Sequence, residues 1–232
     1  MYSVERDGFA IVPRVVTATT ISRISHALSE SIVRRTRAGV RNVLRIPAVR
    51  ELATQEDLLE LARQVLGPGA IPFRTTLFDK SAPSNWLVVW HQDTALPLRE
   101  RRDIRGWGPW SVKEGVICAH APASALEQVL AIRVHLDDSN EENGPLKVLP
   151  ATHDLGVLND DQIHALAGQE AALDCCVAAG GVLLMRLCLC MRLQRQDRMR
   201  HVGYCTSNTH RRFCVAMDLS WLSTSRPSLN CA

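Results

Sequence analysis

At 232 residues, with 46% hydrophobic and 22% charged residues, the chain can bury a large core as one globular domain and is short for two. Its net charge of +3 covers a near-neutral body, since residues 1–186 hold 20 basic and 22 acidic groups, which excludes a basic nucleic-acid surface. No apolar run approaches the roughly 18 residues of a membrane span, and the opening residues carry no signal-peptide core, so a cytoplasmic location is expected.

In chain order, Asp7-Gly8-Phe9-Ala10-Ile11-Val12-Pro13 reads as a turn and a short strand. Residues 17–37 carry Ile21, Ile24, Leu28 and Ile32 at helical spacing, with Thr17 among the N-cap candidates and Gly39 beyond the end. Residues 49–66 predict a second helix with Leu52, Leu59, Ala62 and Leu66 on one face, stopped by Gly67-Pro68. From Ile71 the period shortens to that of strands, over 74–79, 86–93, 115–120, 129–136 and 146–149. The acidic loop 137–145 closes on Asn143-Gly144, a hairpin signal. Residues 160–167 predict one more helix, and Val177 to Met185 a last apolar strand. Helices followed by many short strands make the fold class α+β, mainly β, built on a sandwich or barrel.

The local signal with most chemistry is Trp90-His91-Gln92-Asp93. On a strand, residues i and i+2 share a face, so His91 and Asp93 stand side by side with Gln92 turned away. Such a pair fits a structural hydrogen-bonding couple. That is the commoner role of such a pair; with one distant His it also fits a facial triad that leaves metal positions open for cosubstrate and oxygen. His120, His135 and His153 read as structural, hydrogen-bonded residues. The stretch from Arg99 to Arg105 with Trp107 and Trp110 reads as a pocket-covering loop, its charge diluted by Glu100 and Asp103. Cys175-Cys176 and Cys188-x-Cys190 lack zinc-site spacing, and all eight cysteines read as thiols.

Trp90-His-Gln-Asp93 is followed by Leu136-Asp-Asp138, Glu142-Asn-Gly-Pro-Leu146, Leu149-Pro-Ala-Thr-His153 and Gly180-Gly-Val-Leu-Leu-Met185. That ordered series resembles the phytanoyl-CoA dioxygenase family over residues 8–186. The resemblance implies a double-stranded β-helix (jelly-roll, cupin-like) with N-terminal helices packed on it. It also implies Fe(II) held by His91 and Asp93, 2-oxoglutarate as cosubstrate, and dioxygen with a small-molecule substrate as partners. Lys80 aligns with a cosubstrate contact of some members, and Arg133 lies on a strand that lines the family's pocket. One departure is Ala151, where the family carries Gly; if the backbone there needs φ > 0, Ala costs stability.

Residues 187–232 break the pattern. They hold seven arginines, two acidic residues, no Lys or Glu, and five of the eight cysteines. The family expects a third ligand in a His-Ala-Ser-Ser stretch after the Gly-Gly strand. About a dozen residues later it expects an Arg, whose fork grips the far carboxylate of 2-oxoglutarate. Here the ligand position reads Met191-Arg-Leu-Gln194. Back-translated one base early, codons 190–194 permit His or Tyr followed by Ala-Ser-Ser. In the same frame Val202 to Asn208 permits Arg-Arg-Val-Leu-His-Ile-Glu, and Met217 to Leu222 permits Gly-Leu-Glu-Leu-Ala. The reading is therefore an oxygenase domain over 1–186 and an out-of-frame tail over 187–232, with one nucleotide missing near the Arg186 codon. Met191 is expected near His91 and Asp93, reached by a strand running straight on from Met185, and regular pairing is expected to fail beyond Gln194. The expected function is an iron- and 2-oxoglutarate-dependent dioxygenase impaired by loss of a ligand. Two alternatives are a catalytically inactive binding barrel, for 2-oxoglutarate or another small molecule, and a zinc-bound or metal-free barrel.

Overall fold

A computed structural model describes residues 2–31, 40–80, 87–193 and 210–219, with the last segment and residues 79–80 as backbone only. Ser3 caps the one-turn helix α1 (Val4–Asp7), its hydroxyl accepting from the Arg6 N–H at 3.2 Å, and Gly8 at φ 80 turns the chain into β1 (Phe9–Val12). Thr17 caps α2 (Ala18–Glu30), which buries Ile24 and Leu28 as its spacing predicts; the remainder of the expected helix, 32–37, lies outside the described residues. After β2 (Val40–Arg41) come two helices, α3 (Pro47–Ala53) and α4 (Glu56–Leu66), in place of the single one expected. The break at Thr54-Gln55 resets the helical phase. Leu58 is therefore buried in α4 together with Ala62 and Leu66, while Leu59 is only partly covered.

The strands that follow are β3 (Ala70–Lys80), β4 (Val88–His91), β5 (Ala95–Leu98), β6 (Trp110–Lys113) and β7 (Val116–His120). A short helix α5 (Ala123–Leu126) leads to β8 (Val129–His135), β9 (Leu146–Val148), the helix α6 (Asp160–Gln169) and β10 (Leu173–Cys175). The last elements are β11 (Val182–Arg186), β12 (Met191–Leu193) and β13 (His210–Leu219). They form a six-stranded sheet β1-β11-β8-β13-β3-β2, a four-stranded sheet β10-β9-β12-β4 and a three-stranded sheet β5-β7-β6. Every named strand pair is antiparallel. The fold is the expected α+β, mainly β, jelly-roll. Leu130, Ile132 and Val134 of β8 pack outward on the helices, whereas Val129 and Ala131 pack inward against β9 and β12. Strand alternation thus divides one strand between two cores. Among the described residues no helix is long and apolar enough to cross a membrane.

Three local expectations are corrected. The loop 137–145 is no hairpin, because β8 and β9 belong to different sheets. Asn140 instead builds a capping box on a 3-10 turn over Glu141–Asn143, and Gly144 at φ 66 carries the crossover. The chain also does not run straight from Met185 to Met191. A turn over 187–189, closed by the Leu189 N–H on the Arg186 carbonyl at 3.2 Å, moves it from the six-stranded to the four-stranded sheet. Finally, the tail does pair beyond Gln194. β13 inserts between β3 and β8, with Arg212 opposite Phe78 and His135, and Val215 opposite Thr75 and Ile132. Backbone ladders ask for little beyond strand-forming residues, and Phe213-Cys-Val-Ala-Met217 supplies them.

Candidate metal centre

β4 forms the border of the four-stranded sheet, and β12 pairs with it so that Met191 stands opposite His91. The His91 Nδ1–H donates to the Val89 carbonyl at 2.9 Å, which leaves the Nε2 lone pair free, as a metal-binding imidazole requires. Nε2 lies 3.7 Å from Asp93 Oδ1, and the two side chains are 33% and 57% exposed. An imidazole nitrogen and a carboxylate oxygen therefore converge at one accessible point.

Gln92, just beyond the end of β4, is buried and acts as a clip. Its amide N–H groups donate to the Gly156 carbonyl at 2.9 Å and the Cys188 carbonyl at 2.6 Å, and its oxygen accepts from the Leu158 N–H at 2.8 Å. The Asp93 N–H donates to the Leu187 carbonyl at 3.1 Å. The turn that delivers Met191 is thus bonded to the residues between and beside the two candidate ligands.

Partners directly opposite in an antiparallel pair share a face. Met191 therefore points with His91 into the barrel, where it is 4% exposed and packs with Val148 and Leu193. Cys190 points the other way, against Leu149 and Ile163, and burial raises its thiol above the ordinary range. Burial likewise pushes Cys188 up to about 11. Neither is poised to bind a metal as a thiolate. Among the described residues no group of three His, Cys, Asp or Glu could hold a metal ion. His91 and Asp93 fit two of the three protein positions of a facial Fe(II) site. Met191 does not fit the third, since a thioether is soft and neutral and suits Cu(I) better than Fe(II).

The remaining expectations divide. His120 takes Thr94 Oγ1 at 2.6 Å through Nδ1. His153 holds the N-terminal turn through the Glu5 carbonyl at 3.1 Å and also lies 3.2 Å from the carboxylate of its neighbour Asp154. His135 is 2% exposed on β8. His201 lies outside the described residues, and His210 has its backbone opposite Lys80; the side chain of Lys80 is outside the described residues too. Arg133 is buried on the inner face of β8, 5.4 Å from the Phe78 ring centroid. Near it, burial pushes the Cys175 thiol up to about 12, with the Arg133 charge acting in the opposite sense.

A cavity of about 320 Å³ opens beside the pair, lined by Asp93, Gln92, Thr94, His120 and Leu187, with Phe73, Leu96 and Ala131 on its apolar wall. Arg74, Arg41 and Lys113 also line it. None of these three is in a recognisable motif, so sequence reasoning missed them; Gln92 was seen and its clamping role was not.

Ala151 sits at φ 61, ψ 1, the left-handed backbone for which a glycine is suited. The strain there is about 1–2 kcal/mol, partly offset by the greater chain entropy of an unfolded glycine. Ala151→Gly should therefore stabilise the chain by about 0.5–1 kcal/mol, measured by denaturant unfolding. No gain would mean that this backbone relaxes in solution.

The family described as Phytanoyl-CoA dioxygenase (PhyH) matches residues 4–190. L-proline trans-4-hydroxylase of Streptomyces griseoviridis is 26% identical over 182 residues, 73% of this chain; the chain spans 59% of the length of that relative. HygX from Streptomyces hygroscopicus, solved with nickel, 2-oxoglutarate and hygromycin B bound, superposes with a TM-score of 0.66 at 16% identity, covering 96% of this chain and 87% of HygX. The non-heme alpha ketoglutarate dependent epimerase SnoN from nogalamycin biosynthesis gives 0.66 at 17% identity, covering 99% of this chain and 92% of SnoN.

Proposed function

This chain belongs to the phytanoyl-CoA dioxygenase family, and from that premise we propose a non-haem Fe(II)- and 2-oxoglutarate-dependent dioxygenase that hydroxylates a small organic substrate and is impaired by loss of its third iron ligand. The observation that carries this reading is the pairing of Met191 with His91. A thioether opposite His91 supports the reading, because the family expects an imidazole at this point of the chain. When bound, iron and its cosubstrate would supply the activation of dioxygen. His91 and Asp93 are the proposed metal ligands, supported by the free Nε2 and the 3.7 Å approach. Arg133 and Lys80 are proposed cosubstrate contacts, supported for Arg133 by its place on the inner face of β8. Cys118, Cys175, Cys188 and Cys190 are free thiols, which suits a reducing, cytoplasmic setting.

The tail over 187–232 is proposed to be out of frame. The composition break supports this, and so does the seating of Met191 at the ligand register. The corresponding gene with one base inserted near codon 186 should encode a His followed by Ala-Ser-Ser at this strand.

The purified chain, supplied with Fe(II), ascorbate and 2-oxoglutarate, should form succinate at no more than the rate of the His91→Ala variant. Turnover at rates usual for enzymes, roughly 1–1,000 per second, and abolished by His91→Ala, would sink the proposal. Thermal stabilisation by 2-oxoglutarate without succinate would favour the inactive binding barrel, whose cavity is intact while its metal centre is not.

A further inference from the structure

The cavity beside the candidate ligands carries a charge imbalance that the metal reading does not use. Its described lining has three cations, Arg41, Arg74 and Lys113, against one carboxylate, Asp93. Arg41 is neutralised by Glu114 at 3.0 Å. Arg74 donates to the Ala95 carbonyl at 3.1 Å, a neutral partner that fixes the guanidinium without cancelling its charge. Lys113 is paired with no carboxylate among the described residues. A partly buried guanidinium and an ammonium that share a cavity, neither of them ion-paired with its one carboxylate, repel each other and are stabilised by an anion.

Their placement is built by the fold. The register of β13 against β3 slips between Ala216 and Met217, whose partners are Arg74 and Pro72, leaving Phe73 as an extra residue. A bulge of this kind redirects side chains, and here the sequence neighbours Phe73 and Arg74 line one cavity. A smaller recess of about 30 Å³ adjoins it and is bordered by the same three cations. Phe73, Leu96 and Ala131 supply the cavity with apolar lining beside these charged groups.

We infer that this cavity selects a small substrate bearing a carboxylate, gripped by Arg74 and Lys113 with its apolar body on Phe73 and Leu96. Arg74 makes the planar two-point contact that suits a carboxylate, and Lys113 adds a flexible point charge. The inference rests on the proposed function for the idea that a substrate enters here, and it is tested without metal.

The probes are cyclohexanecarboxylate and its uncharged counterpart cyclohexylmethanol, titrated calorimetrically into the full-length, metal-free chain at low salt. The acid should bind at least about tenfold more tightly than the alcohol, as charge-assisted hydrogen bonds predict. Arg74→Gln and Lys113→Gln should each weaken the acid about tenfold and leave the alcohol unchanged. Lys113 is exposed, so its variant does not put folding at risk. Saturating 2-oxoglutarate, itself a dicarboxylate, should leave the acid's affinity within about twofold, well under the tenfold worth 1.4 kcal/mol. Equal binding of acid and alcohol, binding of neither, or indifference to both substitutions would overturn the inference. Displacement of the acid by 2-oxoglutarate would overturn it too, assigning the cations to the cosubstrate. These outcomes are independent of metal affinity, so the two readings stand or fall separately.

Discussion

Met191→His should raise the affinity of the chain for Ni(II), used as an oxygen-stable substitute for Fe(II), by about 100-fold or more. The size follows from comparison with outer-shell partners, whose loss already costs about 10–100-fold. A direct ligand added to a two-ligand site should exceed that. The backbone is already in place. Met191 faces His91 across the β4–β12 pair, and the turn leading to it is held by the Asp93 N–H on Leu187 and by Gln92 on Cys188. Imidazole is smaller than the space an extended methionine fills, so no overpacking is expected. His91→Ala in the same background should remove the gain. Nickel titration by calorimetry reads the effect, and the idea sinks if the Met191→His affinity stays within a fewfold of the parent. Succinate formation should appear with the added ligand only if the tail also supplies a carboxylate grip, so metal affinity is the cleaner measure.

Gln92→Leu should destabilise the fold by about 3 kcal/mol, since each buried polar group left unpaired costs about 1–3 kcal/mol. The substitution conserves volume but orphans the Gly156 and Cys188 carbonyls and the Leu158 N–H. For a chain of this length about 3 kcal/mol corresponds to a fall in melting temperature of roughly 6–12 °C. In the Met191→His background it should also erode the gained nickel affinity, because the turn before residue 191 loses its tie to the segment carrying the ligands. A melting temperature within about 2 °C of the parent, less than the effect of 1 kcal/mol, would show that water or a neighbouring residue takes over the clip.

Much of the site was legible because strand parity is a local property. Parity on an extended chain predicts a shared face for His91 and Asp93, and the two side chains do approach to 3.7 Å, although β4 itself ends at His91. Met191 could be placed near them from its distance along the chain after the Gly-Gly strand, although the route differs: a turn over 187–189 changes sheets. The positive φ of Ala151 was foreseen as a condition and is met at φ 61.

Other features were not written locally. The break at Thr54-Gln55 carries neither Gly nor Pro, so periodicity alone merged two helices into one. Asn143-Gly144 supports several turn geometries. Whether it closes a hairpin or a crossover depends on which sheet each flanking strand can enter.

By itself, the sequence determined the fold class, the candidate metal pair and the absence of a third imidazole at the expected place, because residue identity and short-range periodicity suffice for those. Tertiary structure decided which strands are neighbours, and therefore that Met191 stands opposite His91 and that β13 enters between β3 and β8. It also decided that Arg41, Arg74 and Lys113, from three separate strands, meet at one cavity. Backbone hydrogen bonding between distant strands is nearly blind to side chains. The sites that such pairing assembles are therefore fixed by topology and register, and single-chain patterns do not record them.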